Sequence, residues 1–177
     1  MKLKEKKISR KTIYQGPIFD IYRDEVLLPN DKIANRDILQ HYGGVAIAAR
    51  TDDDHYLLVQ QYRYPQDKIM IEFTAGKKEK DEDPLTCAQR ELIEETGYQA
   101  ERYTYMGSFV PTCGYSTEVI YLYLAENLSF VGQNLDDNEF LNVMHIKLDD
   151  IIEMIINNQI DDAKTIILAF KLKYLNK

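Results

Sequence analysis

Glutamates between positions 82 and 95 have the types and the spacing to bind a divalent cation. Glu91 and Glu95 are four positions apart, and Glu94 is three from Glu91, so on a helix all three share one side. Two carboxylates one turn apart supply the oxygen ligands that a hard cation such as Mg²⁺ takes in proteins. Arg90 is placed to pair with Glu94, which would leave the other two carboxylates free.

The same segment carries the signals of a helix that would hold these side chains. Asp83 is a good N-cap, Pro84 suits the first helical position, and Gly97 is placed to end the helix. Its predicted apolar stripe consists of Leu85, Ala88, Leu92 and Ile93. A solvated acidic helix face is the alternative interpretation. Gly76, which permits a tight turn, and Glu82 in the loop before the helix favour the metal site.

The elements that must position this helix are mostly strands. Alternating and apolar runs predict strands before the helix at 6–15, 18–29, 34–42, 43–50, 55–63 and 68–73. Later strands are predicted at 102–110, 117–125 and about 140–146, and helices at 148–157 and 162–174, with Asp161 or Asp162 as N-cap of the last. Strands and helices mix without a regular βαβ rhythm, which predicts an α+β fold with a mixed sheet.

The net charge, the cysteine count and the apolar runs limit the classes of protein to which the chain can belong. The chain has 177 residues, a net charge of −7 and two cysteines without CxxC spacing, Cys87 and Cys113. An acidic surface disfavours nucleic-acid binding, and the cysteines predict neither a disulfide framework nor a zinc site. No apolar run reaches the roughly 18 residues of a membrane span. The basic start lacks the apolar core of a secretory signal, so we expect a cytoplasmic protein that does not bind membranes.

The residues from Gly76 to Gly97 resemble the Nudix box. Gly76 is followed after five residues by Glu82, then after seven by the run Arg90-Glu91-Leu92-Ile93-Glu94-Glu95-Thr96-Gly97. The resemblance implies an α/β/α sandwich with a mixed sheet that hydrolyses a nucleoside diphosphate linked to another group. It implies that Glu91 and Glu95 bind Mg²⁺, for which Mn²⁺ can substitute. The carbonyl of Ala75 is a further implied ligand, and Arg90 and Glu94 are implied to orient the catalytic helix.

The resemblance extends over nearly the whole chain, to the ADP-ribose pyrophosphatase branch of this family. The stretches that carry it include LLVQQYRYP, IEFTAGKKE, GYSTEVIYLYLAENL and DDAKTIILAF. The branch implies that residues 1–41 form an antiparallel β-extension exchanged within a homodimer, and that 42–177 form the catalytic domain. A segment as small as 1–41 buries little surface alone, which agrees with that expectation.

Further roles follow from the same branch. Arg63, Glu72 and Gly114 are implied to bind substrate, with Arg63 on a phosphate. The general base corresponds to Glu139, with Asp137 in reserve, and Glu118 is an additional candidate metal ligand. The alternative interpretations without a function are that Arg63 is an ordinary surface arginine and that the stretch around Glu139 is a solvated acidic loop.

Two departures from the branch bear on the substrate. Thr74 stands where the branch has a proline before Ala-Gly, and Cys113 takes the place of a proline that marks ADP-ribose specificity. The predicted activity is Mg²⁺-dependent hydrolysis of ADP-ribose to AMP and ribose 5-phosphate. GDP-mannose or ADP-glucose is the alternative substrate, and a non-catalytic nucleotide-sensing module is the alternative outside the enzyme class.

Overall fold

The computed structural model describes residues 3–135 and 138–175, and the chain forms two compact units. The N-terminal unit ends at Gly43 and also includes Val110–Val119. The second unit consists of Gly44–Phe109 and the chain from Ile120 onward. None of the helices in the described ranges is long and apolar enough to cross a membrane.

The N-terminal unit is a three-stranded antiparallel sheet. Its strands are β1 (Lys6–Gln15), β2 (Asp20–Leu27) and β3 (Ile33–Gln40), in the order β1-β2-β3. Every residue of β1 is exposed, whereas β2 buries Asp24 and Val26. Arg10 satisfies the buried carboxylate of Asp24 with two hydrogen bonds, of 2.7 and 2.8 Å.

The second unit is built on a mixed six-stranded sheet. Its strands are β4 (Gly44–Arg50), β5 (His55–Arg63), β6 (Lys68–Lys77), β7 (Tyr98–Phe109), β8 (Ile120–Phe130) and β9 (Leu141–Lys147). The order is β7-β8-β4-β6-β5-β9, in which β4 and β8 are parallel and the other neighbours antiparallel. The strand β4 lies at the centre with six buried residues, as its nearly continuous apolar sequence predicts.

Helices cover both faces of this sheet. Helix α1 (Pro84–Thr96) packs on one face through Cys87, Ala88 and Leu92. Helices α2 (Leu148–Ile156) and α3 (Ala163–Leu175) pack on the other face, in a core that contains Ile151 and Leu168. The unit is therefore an α/β/α sandwich, which confirms the predicted fold class together with the separate N-terminal antiparallel sheet.

Several local predictions are wrong, among them the strands predicted at 102–110 and 117–125, which are observed at Tyr98–Phe109 and Ile120–Phe130. The strand predicted at 68–73 continues to Lys77, because β4 pairs with it as far as the Gly44–Lys77 position. Leu85 was expected on the apolar stripe of α1 but is 37 % exposed. Cys87 occupies the buried position instead, since Leu85 lies in the first turn, beyond the edge of the sheet's apolar surface. The predicted division of the chain between residues 41 and 42 stays a prediction.

Candidate active site

The ends of α1 are fixed by its sequence, and this sets which way its glutamates point. The carboxylate of Asp83 accepts hydrogen bonds from the backbone N–H groups of Leu85, at 2.9 Å, and Thr86, at 3.1 Å. Gly97 ends the helix with φ of 77° and donates its N–H to the carbonyl of Ile93. A left-handed conformation of this kind suits glycine, so both predicted caps are confirmed.

Glu91 and Glu95 face the end of β6, where the backbone approaches the helix closely. A Cβ atom at Gly76 would lie 1.7 Å from Cδ of Glu91, so any larger residue at this position would displace the Glu91 carboxylate. One residue earlier, the N–H of Ala75 donates to Oε2 of Glu95 at 3.2 Å. The glycine therefore brings the backbone of β6 and two carboxylates to the same place.

Both carboxylates are costly to ionise where they lie. The side chain of Glu95 is 2 % exposed, and burial raises its pKa to about 8. The N–H of Ala75 and the charge of Arg63 oppose this rise, while the charges of Glu91 and Glu139 add to it. Burial also raises the pKa of Glu91, and the Arg90 guanidinium opposes that change. A cation at this position would favour the ionised form of both groups.

Arg90 contacts more of the glutamates than its spacing predicts. Its guanidinium donates to Glu94 at 2.9 Å, to Glu91 at 2.8 Å and to Glu82 at 3.1 Å. It also reaches the carbonyl of Lys77 at 3.2 Å. The expectation that Glu91 is left free is therefore wrong, because a guanidinium with five N–H donors serves several acceptors at once. Arg90 thus ties the loop that contains Glu82 to the helix.

Arg63 and Glu72 lie on neighbouring strands and form a bidentate ion pair. Nε and Nη2 of Arg63 donate to the two carboxylate oxygens of Glu72 at 2.7 and 2.9 Å. Lys164 of α3 donates to the same carboxylate at 2.9 Å. Burial works against the charge of Glu72, but these two cations hold its pKa below the usual range. Arg63 is therefore a fixed side chain rather than a loose surface arginine.

Glu139, the candidate general base, lies near the glutamates of α1, since its charge raises the pKa of both Glu91 and Glu95. Gln61 donates from Nε2 to its Oε1 at 3.4 Å. Within the described residues, the amide oxygen of Gln61 is buried and has no hydrogen-bond partner. Asp137, the reserve candidate, lies outside the described residues.

Glu118 and Gly114 belong to the N-terminal unit. The Glu118 carboxylate lies 3.7 Å from Nδ1 of His41, and its side chain is 30 % exposed. Gly114 is exposed, and a Cβ atom there would have no heavy atom within 4 Å. Their roles in metal and substrate binding stay predictions.

Comparison with protein families identifies the chain. The model of the NUDIX domain matches residues 41–168. The chain belongs to the Nudix family. A second model, described as the nucleoside diphosphate sugar hydrolase N-terminal domain, matches residues 5–39. Together these two matches cover both units of this Nudix protein.

Known relatives carry several names. The chain is 39 % identical to the ADP-ribose pyrophosphatase of Bacillus subtilis, over 98 % of this chain and 93 % of that protein. It is also 39 % identical to the methanol dehydrogenase activator of Bacillus methanolicus, over 92 % of this chain and 89 % of the relative. The GDP-mannose pyrophosphatase of Salmonella paratyphi B is 33 % identical over 67 % of this chain and 65 % of the relative.

A solved structure supports the same fold. The structure titled as an ADP compounds hydrolase superposes with a TM-score of 0.86, covering 99 % of this chain and 96 % of that one. Sequence identity to it is 18 %, so this likeness concerns the architecture alone.

The oxygen donors of the Nudix helix fit a hard divalent cation. Within residues 3–135 and 138–175, no three Asp, Glu, His or Cys side chains converge as a complete ligand set. Two carboxylates beside the backbone of Ala75 are nevertheless the kind of partial set that Mg²⁺ takes when substrate phosphates and water complete its shell. The use of divalent cations is general among Nudix hydrolases.

Two contacts of this site escaped the sequence analysis. Lys164 is 92 positions from Glu72, and Gln61 is 78 from Glu139. Pattern reading predicts neighbours on one helix or strand, not pairs this far apart. A lysine two residues after a helix N-cap acid was the available signal for Lys164, because cations near a helix N-terminus are unfavourable without a partner.

Proposed function

We propose that this Nudix protein hydrolyses the pyrophosphate bond of ADP-ribose to AMP and ribose 5-phosphate with Mg²⁺ as cofactor. One water adds to a phosphorus atom, and the P–O bond to the bridging oxygen breaks. The observation that carries the proposal is the pair of carboxylates beside the glycine bend at Gly76, of which Glu95 is buried and Glu91 half-buried. The relative from Bacillus subtilis, similar over 98 % of the chain, supports ADP-ribose as the substrate.

The cation would be held by Glu91, Glu95 and the carbonyl of Ala75, with Glu118 as a further ligand. When bound, Mg²⁺ or Mn²⁺ supplies positive charge that offsets the charge of the diphosphate oxygens. Arg90 and Glu94 maintain the orientation of the helix, as their 2.9 Å ion pair supports.

Substrate and proton are handled by other side chains in this proposal. Arg63 binds a phosphate, with Glu72 fixing its guanidinium. Gly114 is proposed to line the substrate site. Glu139 accepts the proton of the attacking water, which a carboxylate within reach of the water can do. The donated hydrogen bond from Gln61 supports its orientation.

A second candidate substrate is GDP-mannose or ADP-glucose. The relatives named GDP-mannose pyrophosphatase support it, as do Thr74 and Cys113 at positions where the branch has proline. A relative of equal identity is named a methanol dehydrogenase activator, so identity alone does not select one name. The intact glutamates of the box favour hydrolysis over a non-catalytic sensing module.

The test is turnover of ADP-ribose, ADP-glucose and GDP-mannose by the purified protein with Mg²⁺, followed by product chromatography. ADP-ribose is expected to give the highest kcat/KM. Turnover of GDP-mannose without turnover of ADP-ribose would replace the first substrate by the second. Absence of hydrolysis with all three would contradict the enzymatic proposal.

A homodimer in the cytoplasm completes the proposal. The two predicted segments, 1–41 and 42–177, would then be a dimerisation element and a catalytic domain. The fully exposed strand β1, which includes Ile8 and Ile13, supports a role in association. Light scattering coupled to gel filtration is expected to give the mass of two chains, and the mass of one chain would contradict it.

A further inference from the structure

The guanidinium of Arg63 uses only one of its edges inside the protein. Nε and Nη2 bind Glu72 at 2.7 and 2.9 Å. Among the described residues, no hydrogen bond is formed by Nη1 of Arg63. A guanidinium is a planar fork that can bind one carboxylate along one edge and a phosphate along another. Since the Arg63 side chain is 36 % exposed, its second edge is open to a ligand.

A second cation, Lys164, also pairs with Glu72. Nζ of Lys164 is 2.9 Å from Oε2 of Glu72 and 2.6 Å from Oδ1 of Asp162. The other oxygen of Asp162 accepts from the backbone N–H of Thr165 at 2.9 Å and from its hydroxyl at 2.7 Å. The chain of contacts therefore runs from the first turn of α3 through Lys164 and Glu72 to Arg63.

These four charged side chains line one open cleft of about 410 Å³. Two cations, Arg63 and Lys164, pair with two anions, Glu72 and Asp162, while Asp161, a third acid of the lining, pairs with Lys68. The Glu72 side chain is 2 % exposed, so its charge needs a partner at all times. Lys164 is a second cation on this carboxylate, so Glu72 stays in place and holds the Nε edge of Arg63 while the other edge engages a ligand.

We propose that Lys164, held by Asp162, is a positioning residue that fixes Arg63 through Glu72 with its open edge toward a substrate phosphate. This inference rests on the proposed function, because it assigns Arg63 to a diphosphate substrate. It adds the first turn of α3 to the substrate site. The burial of Lys164 opposes its charge, yet Asp162 and Glu72 raise its pKa, so the ammonium form persists.

A purely structural role is the competing explanation, since the same contacts attach α3 to the sheet. The two roles differ in their dependence on Arg63. A structural role lowers the stability of the fold also when Arg63 is absent, and more strongly, because Glu72 then loses both of its cations. A positioning role acts on the substrate only while Arg63 is present, so Lys164→Met lowers kcat/KM less in the absence of Arg63 than in its presence.

The first experiment measures the geometry without any substrate. Hydrogen exchange of the Arg63 Nε–H group is followed by NMR in arginine-labelled protein, with Arg63→Lys to assign the signal. Lys164→Met is expected to speed this exchange about tenfold, and Lys164→Arg to preserve most of the protection. Lys173→Met, in the same helix but paired with Asp149 at the surface, is the matched control and is expected to change nothing. Equal protection in Lys164→Met and the native protein would overturn the proposal.

The second experiment is a double-mutant cycle in kcat/KM. Lys164→Met is expected to lower kcat/KM for the best nucleoside diphosphate sugar about tenfold when Arg63 is present, mainly through KM. In an Arg63→Met background the same change is expected to cost less than about twofold. An equal loss in both backgrounds would overturn the positioning role. If the native protein hydrolyses no such substrate, the proposed function fails, and the exchange experiment still decides the geometry.

A milder variant covers the case in which Lys164→Met does not fold. Asp162→Asn keeps an N-cap acceptor for Thr165 but removes the charge that holds Lys164. Its expected effect is a threefold to tenfold loss of kcat/KM, roughly, in the presence of Arg63 only. A native kcat/KM in this variant, together with native exchange at Arg63, would overturn the proposal.

Discussion

The substitution Glu95→Gln separates activity from stability more clearly than any other in this site. A glutamate outside the fold has a pKa of 4.5, whereas burial raises the pKa of Glu95 to about 8. Below pH 4.5, roughly, both states carry the proton and its pKa has no effect on stability. Between the two values the folded state holds more protons than the unfolded state. The metal-free protein therefore loses stability as the pH rises from about 4.5 to about 8.

The size of this loss follows from the two pKa values. Each pH unit between them is worth about 1.4 kcal/mol, which gives an upper limit of about 5 kcal/mol at pH 8. Glutamine has nearly the same shape, accepts the same hydrogen bond from Ala75 and carries no charge. We therefore expect Glu95→Gln to stabilise the metal-free protein at pH 8 by about 2–4 kcal/mol, or about 5–15 °C in Tm.

The assay is thermal unfolding with a chelator at pH 5 and pH 8, followed by titration with Mg²⁺. Mg²⁺ is expected to stabilise the native protein. The variant is expected to be more stable than the native protein only when the chelator keeps both free of metal, and to lose hydrolysis by orders of magnitude. Glu153→Gln, at an exposed position of α2, serves as the control and should behave as the native protein. Equal stability of Glu95→Gln and the native protein at pH 8 in the chelator would refute the claim that burial raises the pKa of Glu95.

Three further substitutions test neighbouring parts of the site. Glu139→Gln is expected to lower kcat about 10²- to 10⁴-fold with little change in KM, since it removes the proposed base. A native kcat in this variant would show that another group is the general base. Gly76→Ala should displace Glu91, because a Cβ would lie 1.7 Å from its Cδ, and isothermal titration is expected to show weaker Mn²⁺ binding; unchanged affinity would contradict this. Arg90→Lys should lower the unfolding free energy by about 1–3 kcal/mol in urea, because one ammonium cannot satisfy three carboxylates; an unchanged midpoint would contradict the shared pairing.

Local sequence patterns were sufficient to predict the strands and the helix that position the site. The strand at 55–63 follows from its short apolar run, and the two caps of α1 follow from Asp83 and Gly97, because these signals depend on residues close in sequence. The apolar stripe was only partly predicted, since Leu85 and Cys87 are both apolar and only the sheet beneath decides which is buried.

Contacts between distant segments were beyond sequence patterns. The i to i+4 rule finds the Arg90–Glu94 pair but not the bond to Glu82, whose loop is placed by tertiary structure. Lys164 meets Glu72 because the first turn of α3 lies beside β6. The resemblance supplied the prediction that Arg63 binds a phosphate, and the structure adds how its guanidinium is held.

The most direct measurement of the central claim is hydrolysis of ADP-ribose with Mg²⁺ in water enriched in ¹⁸O, with mass analysis of the products. The account predicts AMP and ribose 5-phosphate, with one heavy oxygen in the phosphate that was attacked, and no products from Glu95→Gln. Intact ADP-ribose after incubation with the native protein, or equal turnover by Glu95→Gln, would contradict it.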